Sequence, residues 1–272
     1  MRTLQITENT IQSILTDLLK RSPNQYTEFE SSVNEIIETV RRDKDAAVFT
    51  YTQQFDHVQL TAENVEVSAQ EIEAAYRQVA PELLNVIKKA LVNIRTYHEK
   101  QKQYSWFDST TDGVMLGQKV TPIDRAGVYV PGGKAVYPSS VLMNVVPAKV
   151  AGVKEIIMTT PCGKDGSPNP ATLVAAKEAG VDRIFKVGGA QAIAAMAFGT
   201  ESIPKVDKIV GPGNIYVALA KKAVFGHVSI DSIAGPSEIL VLADETADPS
   251  YVAAALCRKP SGYGSGVFRR RF

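Results

Sequence analysis

Apolar residues recur at helical spacing along the N-terminal part of the chain. Between residues 9 and 105 they mostly fall three or four positions apart, which places their side chains on one face of a helix. One such run is Val33, Ile36, Ile37 and Val40. The pattern predicts a largely helical N-terminal region, in which Pro81 marks a boundary or the first turn of a new helix.

The pattern changes at Arg125. From there short β-branched or apolar runs alternate with helical stretches of roughly 10 to 15 residues, as in βαβ units. This alternation predicts an α/β fold with a parallel sheet and right-handed crossovers. The predicted strands are residues 126–130, 155–160, 183–187, 208–210, 228–230 and 238–243. The predicted helices are residues 139–151, 169–179, 190–198 and 214–224.

The composition is that of an ordinary globular protein with balanced charge. Of 272 residues, 44% are hydrophobic, and 30 basic residues face 29 acidic ones, for a formal net charge of +1. This balance gives no attraction to nucleic acid or to an anionic membrane surface, so a small molecule is the expected partner. The first residues lack the apolar core of a signal peptide, and no stretch reaches the ~20 apolar residues of a membrane helix. The protein is therefore expected to be cytoplasmic, with no membrane partner.

Cysteines and histidines are few and scattered. Cys162 and Cys257 lie far apart in the sequence, so a disulfide framework is not expected. His57, His98 and His227 show none of the spacings that place two imidazoles on one helix face. A metal site built from the residues present is therefore not expected, and each histidine is interpreted as structural.

Glycine-rich loops follow three of the predicted strands. They are Val130-Pro131-Gly132-Gly133, Val187-Gly188-Gly189-Ala190-Gln191 and Val210-Gly211-Pro212-Gly213-Asn214. The carboxyl ends of parallel strands meet at one edge of a sheet, where glycine lets backbone N–H groups approach a phosphate closely. The three loops together predict a pyrophosphate site. The G-x-G-x-x-G fingerprint of the standard dinucleotide turn is absent, and tight strand-to-helix turns are the alternative interpretation.

Four polar side chains near these strand ends are candidate ligand contacts. Gln191 and Asn214 each place an amide at a predicted helix start, although Asn214 could also serve as a plain N-cap. Tyr129 could stack on a cofactor ring, hydrogen-bond to it, or simply pack. Gly235-Pro236 forces a turn that presents Ser237 at the same edge. Because Ser237 lacks a neighbouring His-Asp system, it is interpreted as a substrate hydrogen-bonding residue and not as a nucleophile.

In their order along the chain, these motifs closely resemble those of histidinol dehydrogenases. The matching segments are Asp45-Ala46-Ala47, Tyr51-Thr52, Phe55-Asp56, Gly127-Val128-Tyr129-Val130-Pro131-Gly132-Gly133, Tyr137-Pro138-Ser139-Ser140-Val141-Leu142-Met143-Asn144, Gly188-Gly189-Ala190-Gln191-Ala192-Ile193-Ala194-Ala195, Gly211-Pro212-Gly213-Asn214 and Ala234-Gly235-Pro236-Ser237-Glu238. The resemblance implies a zinc-dependent enzyme that oxidises L-histidinol, through the aldehyde, to L-histidine with two successive hydride transfers to NAD. It also implies that Tyr129, Gln191 and Asn214 contact NAD, that Ser237 contacts the substrate, and that the protein forms an intertwined homodimer.

The chain is accordingly divided into four parts. Residues 1–25 are expected to form an N-terminal helical arm, and residues 26–124 the mainly helical part of a first α/β domain. Residues 125–236 are expected to form a Rossmann-like, incomplete NAD-binding domain. Residues 237–272 are assigned to a truncated return into the first domain, followed by an aberrant flexible tail.

The sequence departs from the family pattern after Ala254. The family's helix at this point carries a glutamine and a histidine that bind zinc, whereas this chain continues Ala255-Leu256-Cys257-Arg258-Lys259-Pro260. The family's catalytic Glu-His pair also lies beyond this break, so no catalytic or metal-ligating residue is assigned and turnover is expected to be negligible. A frameshift is one hypothesis, because one choice of codons for residues 257–261, read two bases later, encodes Ser-Gln-Ala-Glu.

Two alternative functions stay open beside the resemblance. The first is a non-enzymatic module that keeps a nucleotide-binding cleft and serves as an NAD-binding or interaction domain. The second is an aldehyde-oxidising enzyme with Cys162 as nucleophile, which the sequence favours less because Pro161-Cys162-Gly163 has no nearby base.

Overall fold

The structure is a computed structural model that describes residues 7, 10–13, 16, 27–132, 137–163, 165–233, 240–244, 246–257 and 266–269. Within these residues no helix is long and apolar enough to cross a membrane. The predicted arm, residues 1–25, lies mostly outside the described part. The substrate candidate Ser237 lies outside it entirely.

Three helices make up most of the described N-terminal part, as predicted: Thr27–Asp56, Ala69–Gln78 and Pro81–Glu99. Pro81 begins the third helix, as predicted, because the N–H that proline lacks has no partner in a first turn anyway. Ser68 caps the second helix in a capping box. Its hydroxyl accepts a hydrogen bond from the Glu71 N–H, and the Glu71 carboxylate accepts one from the Ser68 N–H.

The first helix is broken at Lys44, whose backbone leaves the helical region (φ 54°, ψ −129°). The break lets the helix bond to the loop that follows a later helix. The Lys44 ammonium donates to the Gly199 carbonyl over 3.0 Å, and the Asp45 N–H donates to the Glu201 carboxylate over 3.1 Å. The helical region is thereby fastened to the α/β layer.

A five-stranded parallel sheet forms the centre of the molecule and confirms the predicted α/β class. Its strands are β3 (Arg125–Tyr129), β4 (Glu155–Thr159), β5 (Arg183–Phe185), β6 (Lys208–Val210) and β7 (Ser229–Ile230). They lie in the order β5-β4-β3-β6-β7. The connecting helices are Pro138–Ala151, Pro170–Ala179, Gly189–Phe198 and Ile215–Val224. All four begin within one residue of the predicted positions.

Apolar side chains cover both faces of this sheet. On one face Val33, Val40 and Val48 of the first helix share a core with Ile193 and Val217 of two crossover helices. On the other face the second and third helices pack with helices Pro138–Ala151 and Pro170–Ala179. Because both faces are covered, the strands are continuous apolar runs without alternation. As far as the described residues show, the faces of the sheet are covered and its ends are left for a ligand.

Two features differ from the sequence-based expectation. An antiparallel hairpin of β1 (Trp106–Thr111) and β2 (Val114–Gln118) was not predicted. The expected sixth strand is β8 (Leu240–Ala243), but it pairs with β9 (Gly266–Arg269) in a separate two-stranded sheet. Four residues of the expected flexible tail, 266–269, thus pair with β8. In the sequence, the helix Pro249–Cys257 separates β8 from β9.

Candidate functional site

The order of the strands creates a crevice between β3 and β6. From β3 the chain moves outward through β4 to β5, and then returns to the opposite side of β3 to form β6. Helices that follow β3 and β6 therefore leave on different faces, and ligands of open α/β sheets bind at such a switch point beyond the carboxyl ends of the strands. Tyr129 ends β3, and Gly211 directly follows β6.

Gly211 touches the backbone of Tyr129 at this point. Its φ of 120° lies in a region that side chains rarely adopt, and a Cβ there would overlap the Tyr129 carbonyl oxygen. Glycine is therefore required at residue 211 on two independent grounds. The close approach joins the loop after β6 to the end of β3, as the glycine-loop prediction requires.

The Tyr129 hydroxyl joins the same strand end to the loop after β5. It accepts a hydrogen bond from the Gly189 N–H over 3.2 Å. The side chain is almost completely buried, and burial raises the pKa of Tyr129 to about 12. The hydroxyl therefore keeps its proton at neutral pH and can still donate it to an acceptor on a ligand.

Gln191 lies in the first turn of the helix Gly189–Phe198 and is fully buried, with 1% of its surface exposed. Its Oε1 has no hydrogen-bond partner in the part of the chain that the structure describes. A Cβ on Gly189 would lie 2.6 Å from this oxygen. The Gln191 amide thus packs directly against the Gly189 backbone, where a side chain at residue 189 would displace it. Buried polar groups are rarely left unpaired, and an N–H or O–H of a ligand would satisfy this one.

Asn214 caps the helix Ile215–Val224, since its side-chain oxygen accepts from the Val217 N–H over 3.1 Å. The plain N-cap interpretation is therefore correct for the oxygen. The side chain is exposed at the mouth of the crevice. Its amide nitrogen takes no part in the capping hydrogen bond. Asn214 is thus able to cap its helix and donate to a ligand at once.

Pro161 connects the two loops on the β5 side of the crevice. A Cβ on either Gly132 or Gly188 would contact its ring at 2.7 Å, so the loops after β3, β4 and β5 pack on one another through glycine. Cys162 follows, and burial raises the pKa of its thiol to about 12. A thiol held protonated in this way is a poor nucleophile, so its environment does not support the alternative in which Cys162 attacks an aldehyde.

Asp56, at the end of the first helix, contributes a further unpaired acceptor. Its Oδ2 is buried without a hydrogen-bond partner among the described residues, and burial raises the pKa of this carboxyl group. The negative charge of Asp56 also acts on Tyr129 and Cys162, which locates it on the same side of the crevice. In the sequence, Asp56 is distinguished only as part of the Phe55-Asp56 motif, which carries no signal for a role at the site.

Two charged residues missed by the sequence analysis hold the loop after β6. Lys221, 3% exposed, donates to the Gly211 carbonyl over 3.0 Å and forms an ion pair with Asp231. The Asp231 carboxylate accepts from the Gly211 N–H over 2.8 Å and from the Ser232 N–H over 2.6 Å. These residues line a cavity of about 220 Å³ with Asn144, Gly213 and Val217. From the sequence alone, nothing distinguishes the buried Lys221 from an ordinary exposed lysine on a helix.

The described ranges contain no group of three or more His, Cys, Asp and Glu side chains that could hold a metal ion. This described part of the chain therefore does not fit a zinc ion, and no chemical step is assigned to one. The same part does fit a dinucleotide. Gln191 supplies a buried acceptor without a partner among the described residues, and two helices that begin after β5 and β6 supply N-terminal N–H groups for a pyrophosphate.

Comparisons with known proteins point to one family. A family profile described as histidinol dehydrogenase matches residues 19–259. The histidinol dehydrogenase of Bacillus subtilis is 59% identical over 239 residues, which cover 88% of this chain and 56% of that protein. The protein of the same name from Synechococcus sp. is 58% identical over 227 residues, or 84% of this chain and 52% of that one. This chain spans about half the length of these curated relatives.

A solved structure agrees with the sequence comparisons. The crystal structure of histidinol dehydrogenase from Elizabethkingia anophelis superposes with a TM-score of 0.76 at 42% sequence identity. The superposition covers 94% of this chain and 55% of the other. Fold and sequence comparisons therefore lead to the same family.

Proposed function

The chain belongs to the histidinol dehydrogenase family of oxidoreductases, and on that premise we propose that its α/β layer binds NAD for the oxidation of L-histidinol, through L-histidinal, to L-histidine. Bound NAD would supply the hydride acceptor in both oxidation steps. The contribution of the described residues is to bind the dinucleotide, orient it and exclude water. The buried Oε1 of Gln191, which lies against Gly189 and has no partner among the described residues, is the observation that carries this proposal.

Each residue of the crevice has a defined part in this proposal. The Gln191 oxygen accepts an N–H or O–H from the cofactor, and the Tyr129 hydroxyl donates to it while accepting from Gly189. The Asn214 amide nitrogen donates at the mouth of the crevice. Helices Gly189–Phe198 and Ile215–Val224 both begin at the crevice, so their N-terminal N–H groups and dipoles favour the negative pyrophosphate.

The proposals for the substrate, the metal and the subunit contacts rest on the family resemblance and not on described contacts. Ser237 is proposed to hydrogen-bond to the substrate, and the chain is proposed to act in the cytoplasm as part of a homodimer, which sedimentation velocity tests. Zinc has no proposed ligand in the described part of this chain. The family profile matches as far as residue 259, whereas the family's zinc-binding and catalytic residues are expected after Ala254 and have no counterpart assigned here. We therefore propose that NAD binding persists in these 272 residues without turnover.

Two measurements on the purified chain separate these statements. Isothermal titration with NAD is expected to give saturable binding with a 1:1 stoichiometry per chain. Histidinol-dependent formation of NADH, followed by absorbance, is expected to stay at the level of a blank without protein. An absence of NAD binding would contradict the proposed cofactor site, whereas measurable turnover would contradict only the proposed inactivity.

A non-enzymatic NAD-binding module is the second candidate function. It is favoured by one observation: Tyr129, Gln191 and Asn214 all lie in the part of the chain between β3 and β7, so that the contacts to NAD need nothing after β7. This alternative would be supported if the chain binds NAD and added L-histidinol leaves the NAD affinity unchanged. Coupling between the two ligands would support the enzyme.

A further inference from the structure

Lys221 and Asp231 both form hydrogen bonds to the backbone of Gly211. The lysine Nζ donates to the Gly211 carbonyl oxygen, and the aspartate accepts from the Gly211 N–H. These atoms belong to the two peptide groups that flank the Gly211 α-carbon. The orientation of both peptide planes is therefore fixed by one ion pair that joins the helix Ile215–Val224 to the residue after β7.

Gly211 is also the residue that contacts the Tyr129 backbone. Gly211 packs against the Tyr129 carbonyl so closely that no Cβ is tolerated. It also begins the segment that leads to the Asn214 cap. Any rotation of the Gly211 peptides would change both the width of the crevice between β3 and β6 and the direction of the Asn214 side chain.

The two charges differ in their access to water. Lys221 is 3% exposed, whereas the Asp231 side chain keeps 33% of its surface exposed. Burial alone would raise the pKa of Asp231, but hydrogen bonds from Lys221 and from the Gly211 and Ser232 N–H groups hold it below its usual value. The carboxylate is therefore charged at neutral pH, and the buried lysine has the counter-charge that its burial requires.

We propose that Lys221 and Asp231 are positioning residues for the dinucleotide site, which set the conformation of the Gly211–Asn214 loop without touching the cofactor. This inference rests on the proposed binding of NAD. A glycine-proline-glycine loop has high conformational freedom when unliganded, and the ion pair removes that freedom in advance. Preorganisation of this kind raises affinity because less ordering remains to be done on binding.

The chain contains a matched control at the opposite edge of the sheet. Lys149 forms an ion pair with Asp182, and the Asp182 carboxylate also accepts from the Ile156 N–H over 2.7 Å. The chemistry is the same, since a lysine pairs with an aspartate that holds a backbone amide. Asp182 and Ile156 lie at the amino ends of β5 and β4, remote from the crevice.

The test compares Lys221→Met with Lys149→Met in the full 272-residue chain. Thermal unfolding is expected to show a loss of stability in both. Calorimetric titration with NAD, at a temperature where both are folded, is expected to show binding about ten-fold weaker (~1.4 kcal/mol) for Lys221→Met alone. Equal NAD affinity in the two variants would overturn the proposal.

A double variant and a second measurement keep the test decisive. Lys221→Met/Asp231→Asn leaves no unpaired charge and still removes the donor to the Gly211 carbonyl, so it is also expected to weaken NAD binding. Amide hydrogen exchange in the absence of NAD is expected to be faster at Gly211, whose N–H donates to Asp231, in both Lys221 variants and unchanged there in Lys149→Met. If the parent chain fails to bind NAD, the proposed function falls, and the exchange rates decide separately whether the ion pair orders the loop.

Discussion

Replacement of Gln191 by methionine is expected to stabilise the protein and to weaken NAD binding at the same time. The Gln191 Oε1 is buried with no donor among the described residues, and an unpaired buried polar group of this kind costs about 1–3 kcal/mol. Methionine has a similar length and no acceptor to satisfy. The change should therefore raise the free energy of unfolding by roughly 1–2 kcal/mol, which corresponds to roughly 2–8 °C in melting temperature for a domain of this size.

The same change removes the acceptor that the cofactor is proposed to satisfy. The expected loss of NAD affinity is at least about ten-fold, because a lost hydrogen bond in a desolvated site is worth ~1.4 kcal/mol or more. Chemical denaturation measures the first effect and isothermal titration calorimetry the second. A stabilised protein with weaker NAD binding is the signature of a polar group kept for its ligand.

A satisfied polar group at another place provides the control. The Tyr76 hydroxyl donates to the Glu178 carboxylate over 2.7 Å, on the far side of the helical layer. Tyr76→Phe is expected to destabilise the chain by about 1–2 kcal/mol, since it breaks a formed hydrogen bond, and to leave NAD affinity unchanged. The reasoning fails if Gln191→Met lowers stability as Tyr76→Phe does, or if it binds NAD as tightly as the parent chain.

Three further substitutions test the backbone and the charges. Lys44→Gly should stabilise the chain by up to ~1 kcal/mol in urea unfolding, because glycine tolerates the φ of 54° and this gain exceeds the loss of one bond to the Gly199 carbonyl; a clear loss would contradict it. Gly211→Ala should cost more than ~2 kcal/mol and abolish NAD binding in calorimetry, since its Cβ overlaps the Tyr129 carbonyl; unaltered binding would disprove the close approach. The raised pKa of Asp56 means that its favourable contribution is complete below the ordinary value of 3.8 and is lost as pH rises through the folded-state pKa. Asp56→Asn should therefore gain stability relative to the parent chain as pH is raised from 4 to 7 in thermal melts, and a pH-independent difference would refute this.

The sequence predicted the parallel sheet well because its signal is local. Each strand is a short apolar run bounded by turn residues, and three of the four crossover helices have a capping side chain or a proline at their start, as at Asn169 and Asn214. These features depend only on neighbouring residues. The positions of the five strands and four helices could therefore be read from periodicity before any long-range contact was known.

The hairpin was missed because neither of its strands has a buried face. Its residues therefore lack the alternation of apolar and polar positions that marks a half-buried strand. Every residue of β1 and β2 is exposed, including Trp106 and Met115. One local signal was nevertheless present. Asp112-Gly113 separates the two runs and forms the turn, with Gly113 at a φ of 74°, and an Asp-Gly pair between β-formers is a strong hairpin signal.

The sequence indicated where the candidate site residues lie but not which contacts they make. Sequence located Tyr129, Gln191 and Asn214 at strand ends, yet it could not distinguish capping from ligand binding at Asn214, since both use an amide at a helix start. Nor could it show that Gln191 lacks a partner, because an unsatisfied atom is defined by everything around it. Lys221 and Asp231 are ten residues apart and meet only through the turn that leads into β7.

The glycine loops and the ion pair have opposite effects on the same segment. Two glycines in Gly211-Pro212-Gly213 allow the close approach to Tyr129, but they also give the loop more conformations to lose when a ligand binds. A loop permissive enough to form the crevice would be too mobile to hold it. Lys221 and Asp231 remove that freedom through bonds to the Gly211 backbone, which need no side chain at residue 211. The restraint therefore comes from outside the loop, because the glycines that the crevice requires cannot supply it themselves.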